Sequence, residues 1–301
     1  MSRFYEALRQ ASESLRGGRE GSEAGELDLS AVLNQAASAS AEPAVLPVLE
    51  VVSRPAAEPF PADTLPQNGA LGILTEAVLD KKARVIPNAV EPMILEHYRL
   101  LRTRLIQEQT ERPFRSLLVT SSGPKEGKTI TALNLALACA MIPSYKVLVL
   151  DGDIRSGGLT RWLHIDDRPG LSNLFDGSAR MDEVVLESAE IPFYFIGRGK
   201  SELPPPELLH LGAERKYVEK LSGHFDLVLV DSPPVSLVAD PQLLAKSCDA
   251  VLLVARAFYT SRSALQKVGR DFHQFRVVGT VLNGGGSGGG YRRYRSYYPK
   301  A

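Results

Sequence analysis

The stretch that decides the fold covers residues 116–140 and reads SLLVTS (116–121), SGPKEGK (122–128) and TITALNLALACA (129–140). The first part is a short apolar run typical of a buried strand, and the third has the length and apolar content of a helix. The segment between them matches G-x-x-x-x-G-K-[ST], except that Ser122 replaces the first glycine. A strand, this loop and a helix in sequence predict backbone N–H groups that surround a phosphate at the helix N-terminus.

The residue types in this loop each suit phosphate binding. Gly127 allows the backbone to approach a phosphate closely, Lys128 neutralises phosphate charge, and the hydroxyl of Thr129 can bind Mg²⁺. A glycine-rich turn with a chance lysine is the alternative, and the flanking strand and helix argue against it. The predicted nucleotide-binding residues of the loop are Ser122, Gly123, Lys125, Glu126, Gly127, Lys128, Thr129 and Ile130.

From about residue 90 the chain alternates apolar strands with helical segments. This order predicts an α/β fold, a doubly wound and mostly parallel sheet with helices on both faces. Ligands of such sheets bind beyond the carboxyl ends of the strands. The predicted strands are Ser116–Ser121, Lys146–Asp153, Phe193–Gly197, Asp226–Asp231, Ala250–Ala255 and Val277–Leu282, and two of the predicted helices are Thr129–Met141 and Pro241–Lys246.

Three carboxylates follow predicted strands of this sheet. The run KVLVLDGDIR ends a buried strand with Asp151 and Asp153, and FDLVLVDSPPV ends another with Asp231. Carboxylates gathered at one edge repel each other unless a cation or a proton is shared between them. A strand-terminal aspartate of this kind holds the shell of a Mg²⁺ ion in phosphate-binding proteins. Helix capping by the Asp151–Asp153 pair is the alternative interpretation.

Composition excludes several other classes of protein. Lysine plus arginine equals aspartate plus glutamate, 35 against 35, which argues against a surface that binds nucleic acid or an anionic membrane throughout. The two cysteines, Cys139 and Cys248, are too few for a disulfide framework or a paired-cysteine zinc site. No stretch approaches the roughly 18 consecutive apolar residues that span a bilayer. These features predict a cytoplasmic protein.

The two ends of the chain differ from the domain that we predict over residues 90–283. Residues 1–16 have helical spacing of apolar residues, which predicts a small amphipathic helix that docks on its own domain or on a partner. Residues 17–80 are rich in alanine and proline and predict a disordered linker. Residues 284–301 begin with GGGSGGG, a flexible linker, and continue with YRRYRSYYPKA, which holds four tyrosines and four basic residues.

The combined motifs resemble the bacterial tyrosine autokinases of capsule and exopolysaccharide biosynthesis, a family of P-loop proteins. The loop, DGDIR and VLVDSPPV match its Walker A motif, second aspartate motif and Walker B motif in order. PGLS (169–172), LPPPELL (203–209) and VVGTVLN (277–283) match further family segments. The family's oligomerisation motif E-x-x-R-x-x-R corresponds to Glu96, Arg99 and Arg102, and its autophosphorylated cluster to Tyr291, Tyr294, Tyr297 and Tyr298.

This resemblance implies a role for each site residue. Lys128 and Thr129 would bind ATP with Mg²⁺, Asp153 and Asp231 would hold the metal, and Asp151 would activate the tyrosine hydroxyl. Asn283 would contact adenine or, equally well, end a strand at a turn. The resemblance further implies a homo-oligomer, a membrane-embedded chain-length regulator as activator, a tyrosine phosphatase, and a peripheral position at the inner or plasma membrane.

Three other functions fit part of the sequence. Positioning ATPases of the division and partition machinery share the fold and the three motifs, but their signature lysine would replace Gly123. A tail rich in arginine and tyrosine also suits single-stranded nucleic acid. A catalytically silent scaffold is the third. The tyrosine cluster together with the loop favours the kinase over all three.

Overall fold

The computed structural model describes residues 72–74, 92–188, 193–210 and 213–285. The predicted helix at 1–16, nearly all of the predicted linker at 17–80 and the four tail tyrosines lie outside these ranges. Within them no helix has the length and apolar content needed to cross a membrane.

A single eight-stranded sheet organises these residues, with the strand order β1-β4-β5-β3-β6-β2-β7-β8. All neighbouring strands are parallel except β4 and β5, which pair antiparallel. The predicted doubly wound, mostly parallel sheet is therefore confirmed. In chain order the strands are β1 (Gly72–Leu74), β2 (Ser116–Ser121), β3 (Val147–Asp151), β4 (Leu186–Ser188), β5 (Phe193–Ile196), β6 (Leu227–Asp231), β7 (Ala250–Arg256) and β8 (Val277–Asn283).

Helices connect the strands and cover both faces of the sheet. The longest described helix, α1, precedes β2, and α2 follows directly after the predicted phosphate-binding loop. In chain order the helices are α1 (Pro92–Glu111), α2 (Lys128–Ala140), α3 (Gly158–Trp162), α4 (Leu171–Phe175), α5 (Met181–Val184), α6 (Pro205–His210), α7 (Ala213–Ser222), α8 (Asp240–Ala245) and α9 (Arg262–Asp271).

The central strands are apolar throughout because both of their faces are covered. Val147 and Val149 of β3 pack into the core beneath α2, whereas Leu148 and Leu150 pack into the core on the opposite face. Every residue of β2, β3 and β6 is buried. Continuous apolar runs of this kind are expected for parallel strands between two helical layers.

The predicted strand boundaries agree with the structure to within two residues, and two strands were missed. Strand β1 lies inside the range that we predicted as a linker, so those three residues are a correction to that prediction. Strand β4 also has only three residues. Three residues are too few to show the alternation that predicts a strand, so the sequence pattern gives no signal for either of them.

We expect Leu148→Ala to lower the free energy of unfolding by about 2–5 kcal/mol, because the truncated side chain leaves a cavity. Leu148 is fully buried in β3. The matched control is Leu237→Ala, whose side chain is 63% exposed and which should change stability by less than about 0.5 kcal/mol. Urea unfolding followed by circular dichroism measures both. Equal effects of the two substitutions would contradict the layer arrangement.

Candidate active site

The predicted phosphate-binding loop lies between β2 and α2, at the carboxyl edge of the sheet. Gly127 precedes α2 in the left-handed conformation, with φ of +98°. A Cβ atom at this position would overlap the side-chain amide of Asn283. Only glycine fits here, for both its conformation and its lack of a side chain.

Ser122 replaces the first glycine of the motif, Lys125 stands where a glycine is common in the family that the motifs resemble, and the structure accommodates both. Ser122 is not in the left-handed conformation, so the motif's first position does not require glycine here. Its hydroxyl donates to Glu126 Oε1 at 2.7 Å. Lys125 does adopt a positive φ of +61°, which explains why glycine is common at that position.

Lys128 joins the loop to the aspartates that end the strands. Its Nζ donates to Thr129 Oγ1 at 2.9 Å and lies 3.7 Å from Asp153 Oδ2 and 3.6 Å from Asp231 Oδ1. The lysine side chain is only 11% exposed. The structure thus brings together the predicted phosphate-binding lysine, the hydroxyl and two of the three predicted carboxylates.

Asp151 and Asp231 are paired in register across β3 and β6, and both are fully buried. Burial raises the pKa of Asp231, and the positive charge of Lys128 opposes that rise. Burial also raises the pKa of Asp151 to about 7, the charge of Asp231 acts in the same direction, and hydrogen bonds from Thr160 oppose both. When the two carboxyl groups at these neighbouring strand ends are deprotonated, their negative charge is therefore only partly compensated.

The residues at this edge fit a hydrated divalent cation held together with a nucleotide. Among the described residues the Asp231 carboxylate has no short hydrogen bond, and Lys128 Nζ lies 3.6 Å from its Oδ1. Asp153 and the hydroxyl of Thr129 supply further oxygen atoms, which are the ligands that Mg²⁺ prefers. The described part of the chain contains no cluster of three or more His, Cys, Asp and Glu side chains that could hold a metal alone. The fit therefore depends on phosphate oxygens as additional ligands.

The loop is supported by residues from the far end of the chain. Thr260 donates its hydroxyl to Glu126 Oε1 at 2.7 Å, and Arg256 donates to the carbonyl oxygen of Lys125 at 3.1 Å. Asn283 donates its side-chain amide to the carbonyl oxygen of Glu126 at 3.1 Å. Asn283, which we predicted beside adenine or at a strand end, is the last residue of β8 and supports the loop.

Sequence reasoning missed Thr160, Arg256, Thr260 and the ion pair between Arg155 and Asp240. The guanidinium of Arg155 donates twice to the Asp240 carboxylate, at 2.6 and 3.1 Å. None of these residues belongs to the loop motif or ends a strand with a carboxylate. The arginine of DGDIR was visible in the sequence, but its partner in α8 was not.

The residues of the predicted oligomerisation motif have partners within this chain. Arg99 donates to Glu96 Oε1 at 2.6 Å, one turn away in α1. Arg102 donates to the carbonyl oxygen of Ala138 at 2.9 Å, near the C-terminal end of α2. A cation at this end of a helix satisfies a free carbonyl and interacts favourably with the helix dipole. The motif thus connects α1 to the helix that follows the phosphate-binding loop.

Comparison with known proteins yields bacterial tyrosine kinases. Tyrosine-protein kinase ptk of Acinetobacter johnsonii is 32% identical over 214 residues, which are 68% of this chain and 29% of that protein. Tyrosine-protein kinase CpsD of Streptococcus agalactiae is 28% identical over 191 residues, 62% of this chain and 81% of the relative. No protein-family model matches the chain.

A solved structure also shows similarity to a bacterial tyrosine kinase. The kinase domain of Escherichia coli tyrosine kinase ETK superposes with a TM-score of 0.60 and 31% identity, covering 63% of this chain and 74% of that domain. This similarity favours the kinase interpretation over the positioning ATPase. Because this chain spans only 29% of the length of ptk, the similarity concerns one portion of such longer proteins. The chain belongs to the family of bacterial tyrosine-protein kinases.

Proposed function

We propose that this chain is an ATP-dependent protein-tyrosine kinase that phosphorylates its own C-terminal tyrosine cluster in trans. The observation that carries the proposal is that one hydroxyl and two carboxylates lie within 4 Å of Lys128 Nζ. A third carboxylate, Asp151, lies on the adjacent strand in register with Asp231. Phosphoryl transfer requires this combination of positive charge for phosphates, oxygen ligands for a metal and a proton acceptor.

In this proposal each residue has a distinct role. Lys128 and the loop N–H groups bind the phosphates of ATP. Thr129, Asp153 and Asp231 would hold Mg²⁺, which supplies positive charge to the transferring phosphoryl group. Asp151 accepts the proton of the tyrosine hydroxyl, which with a pKa of about 10 is protonated at neutral pH. The phenolic oxygen forms a bond to the γ-phosphorus. The bond between the γ-phosphorus and the oxygen that bridges to the β-phosphate breaks at the same time, which leaves phosphotyrosine and ADP.

The proposed acceptors are Tyr291, Tyr294, Tyr297 and Tyr298. The unmodified segment after Asn283 carries a charge of +4 from three arginines and one lysine, which suits it to an acidic site on a neighbouring chain. Four phosphates would add roughly −6 to −8 and reverse that charge. Phosphorylation would then release the segment and separate the assembly, until a tyrosine phosphatase restores the original state.

This cycle defines the proposed cellular role. The kinase would act in the cytoplasm at the inner or plasma membrane, bound to a membrane-embedded chain-length regulator that activates it. Phosphorylation and dissociation would regulate polymerisation or export of a polysaccharide. The family membership of the chain supports this role, and the balanced composition of 35 basic and 35 acidic residues argues against a nucleic-acid partner.

We expect Lys128→Met to reduce tail phosphorylation at least about 100-fold, because the phosphates lose their cationic contact and the strand-end carboxylates lose their compensating charge. Mass spectrometry of phosphotyrosine after incubation with ATP and Mg²⁺ measures the loss. Lys200→Met is the matched control, since Lys200 is an exposed lysine whose ion pair with Asp167 lies outside this site. Full phosphorylation of the Lys128 variant would exclude the assigned loop function.

Asp151→Asn and Asp231→Asn should differ in their dependence on Mg²⁺. We expect the Asp151 variant to bind nucleotide normally and to transfer phosphate about 100-fold more slowly or worse, because it lacks a proton acceptor. The Asp231 variant should also require a higher Mg²⁺ concentration for nucleotide binding, since it lacks a metal-holding carboxylate. Fluorescent-nucleotide titration at several Mg²⁺ concentrations separates the two. Identical behaviour would contradict the division of roles.

Mixing two chains that cannot phosphorylate their own tails tests transfer in trans. A Lys128→Met chain supplies tyrosines without activity, and a chain truncated after Asn283 supplies activity without the tail tyrosines. We expect the mixture to form phosphotyrosine on the Lys128→Met chain, whereas neither chain alone does so.

Sedimentation of the wild type before and after phosphatase treatment tests the dissociation step. Equal sizes in the two states would contradict control of assembly by tail charge.

A further inference from the structure

Thr160 makes an unusual set of contacts with the carboxylate proposed as the base. The residue lies in α3 and is 1% exposed. Its backbone N–H donates to Asp151 Oδ2 at 2.7 Å, and its hydroxyl donates to the same oxygen at 2.6 Å. Both hydrogen bonds therefore end on one carboxylate oxygen, and Thr160 donates none to the other oxygen.

The direction of the hydroxyl proton is fixed by a third contact. The backbone N–H of Arg198 donates to Thr160 Oγ1 at 2.9 Å. An N–H group can only donate, so the hydroxyl oxygen is the acceptor in that bond. The single hydroxyl proton is thereby directed towards Asp151. This network connects the end of β3, helix α3 and the segment that follows β5.

The position of α3 is itself fixed by close packing. Gly157, which precedes α3, has a φ of +60°, and a Cβ atom there would overlap the aliphatic part of the Arg198 side chain. Arg198 also donates to the carbonyl oxygen of Arg155 at 3.3 Å and to Asp166 Oδ1 at 3.3 Å. Helix α3 therefore has little freedom to move relative to Arg198, whose N–H directs the Thr160 hydroxyl.

The remaining oxygen of Asp151 is the one available for chemistry. Asp151 Oδ1 is buried and has no hydrogen-bond partner among the described residues. Rotation of the carboxyl group away from this orientation about its Cβ–Cγ bond would break both short hydrogen bonds to Thr160. Hydrogen bonds to a charged acceptor are shorter and stronger than those to a neutral one. The carboxyl group is thus held in one orientation.

We infer that Thr160 is a positioning residue, which holds Oδ2 of Asp151 so that Oδ1 receives the tyrosine proton. The inference rests on the proposed kinase function and adds to it a residue that no motif of the sequence contains. It predicts an effect on the transfer step with little effect on nucleotide binding. A merely structural threonine would not separate these two quantities.

The experiment compares Thr160→Val with Thr160→Ser in a kinase whose four tail tyrosines are replaced by phenylalanine. The acceptor is the Lys128→Met chain, so every transfer occurs between chains. We expect Thr160→Val to lower kcat about 10- to 100-fold, as misplacement of a catalytic group does. Its Kd for ATP and KM for the acceptor should stay within about twofold of the parent, because Thr160 is only 1% exposed and donates both of its hydrogen bonds to Asp151. Thr160→Ser keeps the hydroxyl and should stay within about threefold of the parent kcat.

Thr120→Val is the matched control. Thr120 is also fully buried, and its hydroxyl donates to the carbonyl oxygen of Pro233 at 3.2 Å rather than to a carboxylate. The same isosteric change removes a buried hydroxyl there, so it should lower thermal stability and leave kcat unchanged. If Thr160→Val does not fold, the comparison of Thr160→Ala with Thr160→Ser provides the same contrast.

Four results would overturn the inference: a parental kcat for Thr160→Val, an equal loss in Thr160→Ser, a rise in the Kd for ATP as large as the fall in kcat, or an equal loss of kcat in Thr120→Val. Failure of the proposed function is distinguishable from these. A parental kcat for Asp151→Asn would reject Asp151 as the base whatever Thr160 does. An impaired Asp151→Asn beside a normal Thr160→Val would reject the positioning role alone.

Discussion

The repulsion between carboxylates at the ends of β3 and β6 is the interaction on which the rest of the site depends. Asp151 and Asp231 face each other in register and are fully buried. Such an arrangement is unfavourable unless opposite charge or hydrogen bonds compensate it. Lys128 compensates Asp231 from the phosphate-binding loop, and Thr160 compensates Asp151 from α3. Electrostatic compensation therefore links the loop before α2 to helix α3.

The fold and the location of the site follow from the sequence because parallel strands end at a common edge. Once the apolar runs are identified as parallel strands, Lys128, Asp153 and Asp231 must lie near one another. Their ion-pair distances of 3.6 and 3.7 Å agree with this reasoning. The physical basis is general, since only the order of elements and the position of polar residues after each strand are needed.

The supporting residues could not be predicted in the same way. Thr260 is 134 positions from Glu126, and Arg102 is 36 positions from Ala138. The resemblance assigned Arg102 to an oligomerisation motif, but the sequence alone could not show that its side chain contacts α2. Such contacts depend on the packing of whole elements and on single hydroxyl or guanidinium groups, for which local sequence carries no signal.

The contact that Asn283 makes with the loop limits where residues can be inserted into the chain. It ends β8 and its amide supports the carbonyl oxygen of Glu126. Side chains alternate between the two faces of a strand, so one inserted residue within β8 would turn this amide away from the loop. An insertion after Asn283 would leave the contact in place. Insertions and deletions in related chains should therefore accumulate beyond this asparagine, while the length of β8 stays constant.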